Sequence, residues 1–404
     1  MMPGKVLPAV AGLIAAMLHA NAQTSEAAKA DLSLQLSNAV RRGDTPGVVA
    51  AVVGRDGLIY IGAAGMVNDA IFSIASMTKP VTSVAIMMLV EQGKLKLDDP
   101  VSKYLPGFDH PLVITRFNDR DASYETRAAT RPITIRHLLT HTSGIAYGFS
   151  NPVEHRLTEK TKKNEWELPL LNDPGDKWNY GPSTRLLGMI VEKITGVPLE
   201  TSFQQHIFQP LGMVDTSYAV PLAKQGRVAA MHQRVNGVVQ EQRRGKIPST
   251  PAPPFGGDGG LYSTVADYGR FIQMFLNGGR AGSGAGSVRI LSEGSVKAMG
   301  ENNIGTAFVE LQPGADPALT RPFPLGAGRD KFGLGFQITA EDPRKAKLRS
   351  PGSMSWAGLF NTEFWIDPVK HIGGIQMMQL LPFYDEGAIR TLRGFEEAVY
   401  RNLR

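Results

Sequence analysis

The chain has 404 residues, 42% of them apolar and 20% charged, with a net charge of +6 and no cysteine. That balance excludes a disordered polymer, a disulfide scaffold and a cysteine-borne lipid anchor. Lys and Arg are scattered without a long basic run, which argues against a nucleic-acid binder, and the length suits two domains or one large composite unit.

Lys5, the apolar run Val6 to Leu18 and the Ala20-Asn21-Ala22 site have the layout of a secretory signal peptide over residues 1–22. The mature chain then begins at Gln23, and the protein is expected to be exported, periplasmic or secreted. A buried N-terminal helix is the alternative. The run is short for a membrane span, so no stable membrane insertion is expected once the leader is removed.

Ala28 to Arg42 has helical spacing, and Gly47 to Val53 is a β-branched run. Asp56-Gly57 then turns the chain into Leu58–Gly62, a hairpin signal. Next comes Ser73-Ile74-Ala75-Ser76-Met77-Thr78-Lys79-Pro80, leading into an apolar helix that Gly93 stops. Pro80 belongs in the first helical turn, which places Ser76 at the helix N-terminus with Lys79 on the same face. There an alkoxide is favoured and an ammonium gives up its proton more readily. Ser76 and Lys79 thus fit a nucleophile with its proton acceptor. Taken alone, the motif fits a capping serine and a solvated lysine better, and the case for chemistry has to come from the rest of the chain.

Asp98 to Pro106 reads as a polar turn before a short helix, and Phe108 to Arg131 as loop. Ile133 to Gly144 regains helical character. His137 and His141 have the spacing of two zinc ligands on a helix, but Leu138 stands where a zincin needs glutamate and no third ligand is evident. They read as structural histidines, and no metal is expected. Gly175 to Ser183 is turn-rich and leads into a helix from about Thr184 to Thr195, ended by Gly196. Tyr180 lies in that turn, where a tyrosine is ordinarily a surface or hinge residue. It becomes a base if nearby cations lower its pKa.

Phe255 to Ser263 is dense in glycine without the spacing of a phosphate loop, so it is expected to pack closely beneath a helix. Thr264 to Asp267 reads as a capping box for a helix through Phe275 and Leu276. Gly278 to Gly286 reads as a loop, and 302–330 as a flap over a pocket. Strands are expected over Phe332–Ile338, Phe360–Ile366 and His371–Leu380, with a last helix over Asp385–Leu403. The fold class is therefore α/β (α+β): one sheet from N- and C-terminal segments with an inserted helical part. The expected division is a sheet subdomain of about 23–75 and 331–404 and a helical subdomain of about 76–330.

Taken in order, Ser76-Met77-Thr78-Lys79, Leu138-Leu139-Thr140-His141-Thr142-Ser143-Gly144, Tyr180, Gly256 to Ser263 and Trp356-Ala357-Gly358 resemble the serine β-lactamase and penicillin-binding-protein superfamily. Within it the chain looks most like the family VIII carboxylesterases, which are similar to class C β-lactamases. The resemblance implies a β-lactamase/DD-peptidase-like fold with an antiparallel sheet flanked by helices. It makes Ser76 the acylated nucleophile, Lys79 the proton relay and Tyr180 the general base. Trp356, Ala357 and Gly358 would bind substrate, and the backbone N–H groups of Ser76 and Leu359 would form the oxyanion hole.

Two positions depart from the β-lactamase pattern. Pro182 replaces an asparagine that contacts substrate, and Trp356 replaces a lysine that holds the substrate carboxylate. Both are esterase-like, and no G-x-S-x-G supports an α/β-hydrolase. The expectation is a serine carboxylesterase acting on short to medium acyl esters through an acyl-enzyme on Ser76. β-Lactam turnover would be weak, no cofactor is needed, and the partner is a small-molecule ester. The alternatives are a β-lactamase or D-alanyl-D-alanine carboxypeptidase, and a non-catalytic binder of cell-wall peptides.

Overall fold

The computed structural model describes residues 25–243, 245–282, 284, 286–342 and 348–402. The expected signal peptide, Gln23 and Leu403 lie outside the described residues.

Helix α1, Glu26–Arg41, starts at Ser25, whose hydroxyl accepts the Ala28 N–H at 3.2 Å. Strands β1, Val48–Gly54, and β2, Gly57–Ala64, form the expected hairpin around Asp56-Gly57. A short 3-10 turn over Ala75–Met77 runs directly into helix α2, Thr78–Glu91. Eleven of its fourteen residues are buried, so it is a core helix.

The stretch expected to be loop before residue 131 instead folds as a hairpin of β3, Leu112–Asn118, and β4, Ser123–Ala128. Every residue of β4 is exposed, so no face is buried and no alternation of apolar and polar residues marks it. Helix α3 is shorter than expected, Ile135–Leu139. It breaks before His141, which takes a left-handed φ of 55°. Helices α4, Ser183–Thr195, and α5, Val265–Leu276, follow their sequence signals closely. The α5 cap is half of the expected box. Thr264 accepts the Asp267 N–H, but the Asp267 carboxylate turns away to the Asp215 N–H and the Thr216 hydroxyl.

The strand expected over Phe332–Ile338 is two short ones, β5, Lys331–Phe332, and β6, Gln337–Ile338, paired with each other. Gly333 and Gly335 lie between them, and the Gly333 N–H closes the turn onto the Phe336 carbonyl. Three longer strands follow: β7, Met354–Gly358, β8, Thr362–Asp367, and β9, Ile372–Met377. Helix α6, Glu386–Asn402, closes the described chain.

The sheet runs β2-β1-β9-β8-β7-β6-β5 with every adjacent pair antiparallel. It is the antiparallel sheet of N- and C-terminal segments flanked by helices that the sequence predicts. Strand β1 explains why both faces are covered. Val49, Ala51 and Val53 enter one core with α2 and α5, while Val48, Ala50 and Val52 enter a second with α1 and α6. Burying each valine contributes about 1.5–3 kcal/mol.

Candidate active site

The nucleophile turn is held by its neighbours. Ala75, just before Ser76, has a φ of 42°, which a residue with a Cβ adopts at a cost. The turn is fixed by the Ile74 N–H on the Leu261 carbonyl at 2.9 Å and by the Tyr268 hydroxyl on the Met77 carbonyl at 2.9 Å. Strand β7 crosses it at Gly358, where a Cβ would come within 3.1 Å of the Ile74 carbonyl carbon. Gly358 therefore shapes the crossing rather than lining the cavity.

Lys79 is 1% exposed and sits behind Ser76. Its Nζ donates to Ser76 Oγ at 3.1 Å, to Tyr147 Oη at 3.1 Å and to the Asp258 carbonyl at 2.8 Å. Tyr147 in turn donates to the Asp258 carboxylate at 2.6 Å, and Arg185 pairs with the other oxygen at 2.9 Å. Burial pushes the Lys79 pKa down to about 7; Asp258 pulls it up and Arg185 pulls it down. The partners then fix where a neutral amine points. The Asp258 carbonyl is purely an acceptor, and Tyr147 has given its proton to Asp258. The two N–H bonds of the amine go to those oxygens, and its lone pair faces Ser76 Oγ.

Tyr180 donates to Ser76 Oγ at 2.6 Å. Its carbonyl accepts the Tyr147 N–H at 3.0 Å, which ties the two tyrosine segments together. Gly181 permits this approach, since a Cβ there would lie 2.8 Å from Ala146 Cα. Burial raises the Tyr180 pKa well above its ordinary value, while Ser76 and Trp356 pull it back. The Trp356 indole N–H meets no acceptor at hydrogen-bond distance, but it is near enough to the Tyr180 oxygen to favour the phenolate.

Ser76, Tyr180, Trp356, Ala357 and Leu359 open onto one cavity of about 270 Å³. Its inner wall is aromatic. Trp356 packs on Tyr180 and Phe332 at ring distances of 5.2 and 5.3 Å, and Phe149 and Phe323 close the sides. The flap expected over 302–330 thus contributes a wall, ending in Phe323, Pro324 and Leu325. His141 stacks under Trp356 at 6.0 Å, and burial keeps its imidazole neutral. His137 is used elsewhere: its Nδ1 accepts the Thr134 N–H in the cap of α3. Pro182 precedes the first residue of α4 and offers the site no side-chain donor.

The structure brings Ser76, Lys79, Tyr180 and the Trp356–Leu359 segment together. It adds Tyr147, Asp258 and Arg185, which sequence reasoning missed. Asp258 had one signal, a lone charge inside the run Gly256-Gly257-Asp258-Gly259-Gly260. Those glycines do pack beneath a helix, for a Cβ on Gly257 would lie 2.9 Å from Gly188 Cα of α4. Tyr147 had none beyond its place three residues after Gly144.

Comparison with known proteins places this geometry. The family described as Beta-lactamase matches residues 28–398. Protein Rv1367c of Mycobacterium tuberculosis (strain ATCC 25618 / H37Rv) is 33% identical over 349 residues, 81% of this chain and 82% of that one. Lovastatin esterase of Penicillium rubens is 27% identical over 82% of this chain and 86% of its own. Among solved structures, the LovD6 mutant of simvastatin synthase from Aspergillus terreus superposes with a TM-score of 0.77. It is 25% identical, covering 93% of this chain and 97% of that chain.

Proposed function

Because the chain belongs to the Beta-lactamase family, we propose that it is a serine esterase cleaving uncharged carboxylic esters of short to medium acyl chains. The observation that carries this reading is the pairing of a buried Lys79 Nζ 3.1 Å from Ser76 Oγ with an aromatic wall at Trp356. The first activates the nucleophile. The second offers an apolar face where a lactamase-like site would present a cation to a substrate carboxylate. Ester chemistry is also what the name of the Penicillium relative states of that protein.

The proposed steps start from the hydrogen bonds that Lys79 and Tyr180 each make to Ser76 Oγ; the Leu359 N–H and the proton return from Lys79 to Tyr180 are part of the proposal. Ser76 Oγ attacks the ester carbonyl carbon and its proton passes to Lys79 Nζ. The carbonyl oxygen, now negative, is held by the N–H groups of Ser76 and Leu359. On collapse the C–O bond to the alcohol breaks, and the leaving oxygen takes the proton of Tyr180, which the Lys79 ammonium restores. Water then enters, loses a proton by the same route in reverse and releases the acid. Tyr180 thus relays a proton, and the resting acceptor is Lys79, since burial holds the phenol proton firmly. An alcohol in place of water would turn the last step into acyl transfer.

The test is kcat/KM for p-nitrophenyl butyrate against nitrocefin and benzylpenicillin on one enzyme preparation. The ester is expected to be the better substrate. Faster turnover of benzylpenicillin would replace the esterase reading with a β-lactamase. A fluorophosphonate probe that leaves Ser76 unlabelled would point to a non-catalytic binder.

A further inference from the structure

The cavity continues beyond the reacting centre. Strand β6 pairs with β7 at Met354 and Ser355 alone. Beyond Ser355, β7 keeps β8 on one side, and its Trp356 and Ala357 line the cavity. Arg349, Glu363 of β8 and Glu396 line the same cavity as Ser76.

Glu363 stands on β8 directly opposite Ala357 of β7 and is 7% exposed. Its carboxyl group makes no hydrogen bond and no ion pair among the described residues. None of the donors around it bonds to it. Arg349 gives two N–H bonds to Glu396, at 2.8 and 2.9 Å. The Gln337 amide donates to the Leu325 carbonyl at 2.6 Å and to Asp330 at 2.7 Å. Tyr384 uses its oxygen to accept the Leu325 N–H at 2.9 Å. A buried carboxyl without a partner is costly, and this one opens onto the cavity that holds the nucleophile.

We propose that this end of the cavity is a subsite for a hydroxyl group at the end of the substrate remote from the ester, with Glu363 as its hydrogen-bond partner. The inference rests on the esterase reading and narrows its substrate class. A hydroxyl suits the surroundings because it bonds the Glu363 carboxyl without bringing a further charge into a buried site where Arg349 is already paired with Glu396. A carboxylate or phosphate would meet both Glu363 and Glu396. A hydroxyl also serves either state of the carboxyl, donating to the ionised form and accepting from the protonated one. That matters here because burial, partly opposed by Arg349 and reinforced by Glu396, raises the Glu363 pKa to about 7. The reach is modest. From Leu359 back to Ala357 is about 7 Å along the strand, and from Ala357 to Glu363 about 5 Å across it. The straight line is then about 9 Å; a roughly six-atom chain at about 1.2 Å per bond reaches about 7 Å, and the hydrogen bond to the Glu363 side chain closes the rest.

Two matched pairs of esters test the subsite. One compares p-nitrophenyl ω-hydroxyhexanoate with p-nitrophenyl hexanoate. The other compares the monobutyrate of hexanediol with hexyl butyrate, so that either side of the ester has its chance to reach Glu363. In at least one pair the hydroxylated member is expected to have the higher kcat/KM, by about tenfold, as a hydrogen bond to a charged partner commands. The preference should vanish in Glu363→Leu and persist in part in Glu363→Gln. It is read as a ratio within each variant, so a general loss of activity cancels. No preference in either pair, or one that survives in Glu363→Leu, overturns the subsite and leaves the esterase reading standing. If none of the esters is hydrolysed, the esterase reading fails. Thermal-shift titration with hexanediol against hexanol then decides the subsite, with stronger stabilisation by hexanediol in the wild type alone supporting it and equal stabilisation refuting it.

Discussion

Lys79 is buried behind Ser76 and Arg349 is mostly buried in the wall of the cavity onto which Ser76 opens, and their surroundings have opposite effects. Lys79 touches three oxygens, none of them a carboxylate oxygen. The nearest acid, Asp258, presents its carbonyl to the lysine and spends its carboxylate on Tyr147 and Arg185. Burial therefore prevails, and the amine is half formed near pH 7. Arg349 is gripped by both oxygens of Glu396, and despite burial its proton is held more tightly than usual. Whether a carboxylate reaches the cation directly decides if burial yields a base or a strut.

The largest effect expected along this contrast is at the reacting end. Ser76→Ala should lower kcat/KM for p-nitrophenyl butyrate by about four orders of magnitude or more with the fold intact, read by steady-state kinetics and circular dichroism. Lys79→Met removes the acceptor and keeps the apolar volume. A loss of about three orders of magnitude is expected, and a loss under tenfold would return the role of base to Tyr180.

Glu396→Ala probes the strut. It strands a buried guanidinium and should destabilise the fold by about 3–5 kcal/mol, measured from urea unfolding midpoints. Ester turnover at a temperature where the variant stays folded should change far less than in Lys79→Met. Equal damage to both properties would dissolve the contrast.

The smallest effect is a shift on the pH axis. With Lys79 near 7, kcat/KM should rise with pH through that value as the amine forms, then level off. Asp258→Asn removes the charge that raises the Lys79 pKa and leaves Arg185 unopposed, so the acid limb should move to lower pH. A limb that stays in place would show that a group other than Lys79 titrates there.

How much of this was legible in the sequence depended on where the interactions lie. Ser76 and Lys79 meet within one helical turn, and Gly196 and Gly93 stop helices through local geometry, so linear spacing carries them. Tyr180 and Trp356 were reachable through resemblance alone, since they meet Ser76 from 104 positions away in one case and from another strand in the other. Asp258, Tyr147 and Glu363 act through tertiary neighbours that no periodicity encodes. The hairpin of β3 and β4 escaped for a different reason. Its residues are mostly exposed, so the polar and apolar positions that usually betray a strand do not alternate.

The sheet order has a consequence for how the chain is made. Strand β1, Val48 to Gly54, has β9 as one of its two neighbours, with Val49 opposite Met377 and Val53 opposite Gly373. A polypeptide emerging from the ribosome therefore carries the run Val48-Val49-Ala50-Ala51-Val52-Val53 with one bare edge until β9, Ile372–Met377, has been synthesised. Such a segment is apolar, uncharged and rich in β-branched residues, the composition of an aggregation-prone strand. Completion of the sheet therefore waits for β9 to be made. High-level production should reward slow translation or added holdase chaperones, and any truncation ahead of residue 372 should yield inclusion bodies rather than a smaller soluble protein.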